Sequence, residues 1–446
     1  MRARPTLATV KALDRDILRL AVPALGALVA EPLFLLTDTA LVGHLGETPL
    51  AGLSIASALL QTAIGLLIFL AYATTPAVAR RLGAGDRPGA IRAGIDGLWL
   101  ALLLGIVLVA VGIVAARPLV QLFGATAAVE EQAVIYLTVS LAGLPAMLLV
   151  IAATGLLRGL QDTKTPLVVA VSGFAANAGL NALFIYGFGA GIAGSAAGTV
   201  VAQWAMAAVY LVIAVRASRS NGVSLRPGLA GVTGAAASGG WLFLRTASLR
   251  AALLATVVVA SDLGVVELAT FQIASTLFFT LAFILDALAI AGQALVGHGL
   301  GAEDAPRVRG VMRRLVWWGI GAGVVLGLGL AALSPVLGPV FSSSRDVQQA
   351  LLVVVLVMAI GVPLAGYVFV LDGVLIGAGD ARYLALAGLG TVVIYAPLLI
   401  GVWMFGPDGT AGLVWLWLAF GFGYMSARAL TLGLRARGTA WMRTGG

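Results

Sequence analysis

Apolar residues run through the chain in long stretches, broken by short clusters of charge, Gly and Pro. About 20 apolar residues cross a bilayer as a helix. Cutting the chain at its breaks leaves twelve stretches of that length, near residues 16–43, 51–79, 92–115, 129–157, 166–187, 191–216, 238–261, 267–298, 308–333, 347–376, 383–405 and 410–434. These are expected to be membrane spans one to twelve of an all-α integral membrane protein.

The breaks alternate in character. With both termini in the cytoplasm, 25 of the 27 Lys and Arg residues fall on the inner side, and only Arg117 and Arg345 fall outside. That count places Arg245 and Arg250 at the inner end of span seven. An even number of spans starting inside produces this asymmetry under the positive-inside rule. Residues 1–20 contain seven charges and no short apolar core followed by a small-residue cleavage site, so they read as a retained cytoplasmic tail. A bacterial inner (plasma) membrane is the expected location.

The two halves repeat at an offset of 218 residues. Ile55-Ala56-Ser57 matches Ile273-Ala274-Ser275, and Leu82-Gly83-Ala84 with Asp86 matches Leu300-Gly301-Ala302 with Asp304. Gly143-Leu144-Pro145 matches Gly361-Val362-Pro363, and Asp162 matches Asp380. Six spans separate the copies, so both enter the membrane in the same direction and the repeat is parallel. The expectation is two pseudo-symmetric six-helix lobes around a central cavity: residues 1–217, a cytoplasmic linker at 218–237, and residues 238–446.

Composition narrows the function. At 61% hydrophobic and 10% charged residues, with mean hydropathy +1.05, the chain cannot be a soluble enzyme or a nucleic-acid binder, and its net charge of +8 follows from topology. For the cluster Arg307 to Arg314 a nucleic-acid or lipid-headgroup site is the rival reading, and ordinary topology determination is preferred. There is no Cys, so thiolate catalysis and thiolate metal sites are excluded. His44 and His298 sit at span ends, where neither suggests a metal site. No cofactor, no enzymatic activity and a monomeric state are expected.

Ionisable residues within spans are costly and therefore candidates for function. Glu31 and Asp38, seven residues apart, share a face of span one, and Pro23 below them removes a backbone hydrogen bond and favours a hinge. Asp38 and Asn181 each lie six residues from the outer end of their span, Asn177 is one turn below Asn181, and Thr199 lies at a comparable depth in span six. If spans one, five and six are neighbours, these four side chains form one polar layer. There desolvation opposes the ionised form of Asp38 and hydrogen bonds favour it, which suits a group that takes up and releases a proton. At the 218 offset the second lobe offers Thr256, Tyr395, Leu399 and Trp417 instead. Glu31 and Asp286 are candidates for a substrate cavity, whereas Asp372, near the inner end of span ten, suits a gate or a structural contact.

The segment from Glu31 through Thr37-Asp38-Thr39 to Gly46 resembles span one of multidrug and toxic compound extrusion (MATE) transporters, and more closely their DNA-damage-inducible (DinF) branch. Asn181 to Gly187, Leu157 to Asp162, Asp286 to Gly297 and Asp372 to Asp380 are similar to further family segments. The resemblance implies an antiporter that expels lipophilic or cationic small molecules against protons or sodium ions. It also implies a key aspartate at Asp38, partners at Asn177, Asn181 and Thr199, and a bending proline at Pro23. Asn181 stands where some relatives carry a second aspartate, and no acid lies between Trp241 and Ser261, where another branch has one. First-lobe coupling, by protons before sodium, is the resulting expectation. The alternative is a lipid or lipid-linked oligosaccharide flippase of the same superfamily, for which extra spans or cavity arginines would be expected.

Overall fold

A computed structural model of the protein describes residues 7–445, and Arg2 and Arg4 of the expected tail lie outside them. Every regular element among the described residues is helical. Eleven helices are long and apolar enough to cross a membrane: Lys11–Gly43 (span one), Glu47–Gly83 (two), Arg87–Gln121 (three), Lys164–Gly187 (five), Gly191–Ser220 (six), Leu229–Asp262 (seven), Val265–Gly301 (eight), Ala305–Phe341 (nine), Arg345–Gly377 (ten), Ala381–Phe405 (eleven) and Gly409–Arg437 (twelve). Ala127–Leu141 and Leu144–Gly159, bent by 52° against each other, make span four. With the bent pair counted as one, the described residues hold twelve helical segments able to span a membrane.

The bend has a local cause. Pro145 lacks the N–H that would continue the helix, and the indole Nε1 of Trp204 donates to the carbonyl of Ala142 at 2.9 Å. The equivalent Pro363 leaves span ten unbroken as one helix, Arg345–Gly377.

Span one starts earlier than the apolar pattern suggests. Its helix begins at Leu7, so the stretch expected to be a loose tail is helical. The charges Asp14, Arg15 and Asp16 hide a buried stripe in which Ile17 is 0% and Leu20 1% exposed. Asp14 and Asp16 pair with Arg314 and Arg307 of span nine.

The chain divides into two compact units, Gly26–Gly239 and Gly240–Gly445, the second also containing the chain up to Leu25. Both crossings between units fall inside continuous helices, spans one and seven. The first crossing lies two residues beyond Pro23.

The duplication is visible in the backbone. Left-handed residues occur in pairs at the 218 offset: Gly85 (φ 79°) with Glu303 (φ 56°), and Gln161 (φ 62°) with Gly379 (φ 68°). Asp86 caps span three by accepting from the N–H of Gly89 at 2.8 Å, and Asp304 caps span nine by accepting from the N–H of Arg307 at 2.9 Å. Side-chain oxygens at this position satisfy N–H groups that a helix start leaves unpaired.

Helix contacts repeat as well. A Cβ on Gly159 would meet the carbonyl of Thr75 at 2.7 Å, and one on Gly377 would meet that of Gln293 at 2.6 Å. Each unit thus presses span four or ten directly onto the backbone of span two or eight, the close approach that small residues allow inside membranes.

Gly159→Ala and Gly377→Ala are expected to destabilise the protein by about 1–3 kcal/mol through overpacking. Gly179→Ala should be neutral or mildly stabilising, because a Cβ there meets nothing within 4 Å in a helix interior. Thermal unfolding in detergent measures both; equal effects at the three positions would refute the packing argument.

Candidate functional site

Asp38 on span one is 4% exposed. Three neutral groups donate to its carboxylate: Tyr136 Oη of span four at 3.1 Å, Asn181 Nδ2 of span five at 2.8 Å and Ser195 Oγ of span six at 2.5 Å. The network continues from Asn181 Nδ2 to Asn177 Oδ1 at 3.1 Å and from Asn177 Nδ2 to Thr199 Oγ1 at 3.0 Å. Asp38, Asn177, Asn181 and Thr199, linked in the sequence only by depth, form one cluster.

Helical spacing builds this cluster. Asn177 and Asn181 are one turn apart on span five, as are Ser195 and Thr199 on span six. Gly198 lets the two helices close: a Cβ there would lie 2.2 Å from Asn181 Oδ1. Beyond Asn181, span five widens into a π-helical turn at Leu183–Gly187, from which Tyr186 Oη donates to the carbonyl of Leu41 at 2.7 Å. That bond engages a carbonyl in the last turn of span one, where helices leave such groups unpaired. His44 likewise contacts its own helix end, Nδ1 lying 2.7 Å from the carbonyl of Ala40.

Tyr136 and Ser195 are members that sequence reasoning missed. Ser195 lies on the same face as Thr199, one turn away, and Tyr136 lies seven residues inside span four as first drawn. The depth argument applied to every polar side chain would have found both.

The cluster contains one carboxylate and several oxygens. Asn181 Oδ1 is buried without a hydrogen-bond partner. A buried unpaired acceptor costs about 1–3 kcal/mol. Among the described residues, no group of three or more acidic, His or Cys side chains could hold a metal.

An apolar layer covers the cluster on the side of the loop between spans one and two. Val42, Leu53, Val120, Ile185 and Ile192 belong to one buried core with Tyr136. Val42 and Ile185 are each one turn beyond Asp38 and Asn181. On the other side lies a cavity of about 60 Å³ lined by Glu31, Phe34, Gln61, Phe174, Met206 and the network members Asn177 and Thr199. The rings of Phe34 and Phe174 stack at 5.1 Å with an interplanar angle of 14°. Cavity and cluster thus share two residues.

The MatE family model matches the chain twice, over residues 23–183 and 244–400. The chain belongs to the MATE family. It is similar to Protein DETOXIFICATION 43 of Arabidopsis thaliana, with 29% identity over 97% of this chain and 90% of that protein. It is also similar to DNA damage-inducible protein F of Escherichia coli K12, with 28% identity over 67% of this chain and 66% of that protein. A solved multidrug resistance MATE family transporter of the MOP superfamily, in an outward-facing conformation, shares the fold with a TM-score of 0.85 at 22% identity, covering 97% of this chain and 98% of that one. The protein is thus a multi-pass membrane transporter of a multidrug-efflux family, and the family's members are transporters rather than enzymes.

Within this MATE protein the second unit has a different chemistry. The position matching Asn177 is Tyr395, whose hydroxyl lies 2.8 Å from Thr256 Oγ1. Trp417, matching Thr199, packs against Phe278 at 6.3 Å and Phe420 at 5.8 Å. Aromatic packing replaces the amide network.

Asp372 is 7% exposed and is gripped by two arginines, Arg245 of span seven through Nε and Nη2 and Arg428 of span twelve at 3.1 Å. Arg245, expected at the inner end of span seven, lies within the helix Leu229–Asp262 and is a buried ion-pair partner, a role that its place near a span end did not suggest. Asp286 is half-buried on span eight, in the unit that does not contain Asp38.

The two buried aspartates should respond differently to neutralisation. Asp372→Asn strands two buried guanidinium groups and is expected to cost about 3–5 kcal/mol. Asp38→Asn meets only hydroxyls and amides, which reorient, and should cost under about 1 kcal/mol. Thermal unfolding of the two purified variants decides this, and equal losses would contradict the assignment.

Proposed function

We propose that this transporter exports lipophilic organic cations in exchange for protons, with Asp38 as the coupling carboxylate and sodium as the alternative ion. The observation that carries the reading is a buried carboxylate held by neutral donors alone. An acid beside an arginine is fixed in its charged form, whereas one among hydroxyls and amides can exist in either state. The unpaired Asn181 Oδ1 supports it further: rotating that amide would let it accept from a protonated Asp38. A sodium ion would find oxygens there, but a single carboxylate.

Access is by alternation of the two lobes, residues 1–217 and 238–446 joined by the linker 218–237, with both termini in the cytoplasm of a bacterial inner membrane. The basic-residue asymmetry supports that orientation. Protons then arrive from the side of Val42 and Ile185, so this apolar layer must part before Asp38 is protonated. Substrate binds on the opposite side of the cluster, with Glu31 as the anchor for its positive charge and Phe34 and Phe174 as its aromatic wall. At about 60 Å³ the cavity is far below the roughly 300 Å³ that a drug-sized ligand needs. Loading therefore requires span one to move, and Pro23, next to the unit crossing at Leu25, is its hinge.

Coupling passes through the shared residues. Protonation of Asp38 changes what Asn181 donates to, which shifts Asn177 and Thr199 in the cavity wall. By linkage, proton and cation then disfavour each other by the same factor. Asp286 lines the second lobe's share of the pathway and Asp372 anchors the helices of its gate. The protein acts as a monomer and needs no cofactor.

Efflux of a fluorescent lipophilic cation from proteoliposomes tests the core claim. An imposed proton gradient should drive it, and Asp38→Asn, expressed at normal level, should lower the rate by at least about ten-fold; full activity in that variant would overturn the proposal. A sodium gradient driving transport without a proton gradient would reassign the ion. Transport by neither gradient would move the reading to a lipid or other hydrophobic substrate.

Asn181→Asp places a second carboxylate at 2.8 Å from the first. Two adjacent carboxylates ionise together only with difficulty. Proton release is then expected to require a higher pH, moving the transport optimum upward; an unchanged profile would exclude Asn181 from the coupling site.

A further inference from the structure

Span nine presents two faces of opposite character near its first turns. At 100° per residue, Arg307, Arg314 and Trp318 fall on one face, and Arg309, Arg313 and Trp317 on the opposite one. The first face is satisfied: Arg307 pairs with Asp16 at 3.3 Å, Arg314 with Asp14, and Trp318 Nε1 donates to Asp14 at 2.8 Å.

The second face lines a groove of about 430 Å³, closed on its far side by Arg437 of span twelve, Tyr367 of span ten and the buried Trp441 of the C-terminal tail. Trp441 is 2% exposed and its Nε1 donates to the carbonyl of Gly438 at 3.0 Å, which folds the tail into the wall. Among the described residues no ion pair engages Arg309, Arg313 or Arg437, whereas the neighbouring Arg435 pairs with Asp380. The floor is apolar, with Met312, Val316 and Leu371. Trp317 is 66% exposed at the rim.

We infer that this groove binds an anionic phospholipid, its phosphate held by Arg309, Arg313 and Arg437 and its chain lying along Trp317 and Val316. Three facts favour a lipid over a free phosphate. The arginines sit at the end of a membrane span, Met312, Val316 and Leu371 give the groove an apolar floor beside them, and an exposed Trp such as Trp317 is the side chain found at the headgroup boundary. Guanidinium groups supply the paired donors that a phosphodiester accepts. This site is separate from Asp38 and does not depend on how transport is coupled.

The test uses the full chain in neutral detergent, titrated with phosphatidylglycerol or phosphatidylcholine carrying brominated chains, which quench nearby Trp. Subtracting the same titration of Trp317→Phe isolates the groove. Phosphatidylglycerol should saturate the Trp317 signal at a far lower mole fraction than phosphatidylcholine. The triple variant Arg309→Gln, Arg313→Gln, Arg437→Gln should lose this preference, with about five-fold per arginine expected. Millimolar inorganic phosphate should leave the lipid titration unchanged. Equal affinity of wild type for the two lipids would overturn the inference, as would a preference that survives the triple variant. Complete displacement by inorganic phosphate would overturn the lipid in favour of a small phosphorylated ligand. The wild-type comparison stands even if the triple variant fails to fold.

Discussion

One buried carboxylate with no cation beside it sets the terms for the first unit. Removing an ionised acid from water costs several kcal/mol, and hydrogen bonds must return most of it. Asp38 receives them from three different spans, so its burial requires spans four, five and six to meet span one at a single depth. Gly198, the π-helical turn after Asn181 and the clasp from Tyr186 to the carbonyl of Leu41 all serve that convergence. The acid therefore organises the helices, and a change in its charge alters the bonds that hold them together.

Where the first unit packs around Asp38, the second packs around aromatic rings. Its helices keep the approach of span ten to span eight at Gly377 and the Asp304 cap, both repeated from the first half. Where the first unit has amides, it has Tyr395, Trp417 and their aromatic neighbours. Its buried acid, Asp372, is matched by guanidinium groups on two sides. A pair of that kind is expensive to break, so it suits a fixed joint between spans seven, ten and twelve.

Much of this was legible in the sequence because membranes restrict what a chain can do. Apolar runs gave the spans, and the Pro and Asp matches at one offset gave the duplication, since those residues stand where the backbone turns or starts a helix. Depth along three helices gathered Asp38, Asn177, Asn181 and Thr199. What escaped is equally specific. Asp14 and Asp16 disguised the start of span one because their partners, Arg307 and Arg314, lie about 300 residues away. The pairing of Arg245 with Asp372 was not legible, because nothing local marks a guanidinium as buried. Tyr136 is a single hydroxyl in an apolar helix, and its role exists only once span four is placed against span one.

If Asp38 carries the coupling charge, as proposed above, its contrast with Asp372 bears on why one duplicated half would hold it. After duplication, an acid in each half could in principle have moved with a proton. Two titrating centres in one cycle would have to change state in step, since each protonation shifts the packing that the other depends on. Clamping the second acid between Arg245 and Arg428 removes that requirement, because neutralising it would leave buried guanidinium charge without its carboxylate. Under the proposed coupling, the free energy of ion uptake is then delivered at one place. On this reading the arginines are as much part of the transport design as Asp38. Replacing them would not merely weaken a joint; it would give the cycle a second carboxylate able to change its charge.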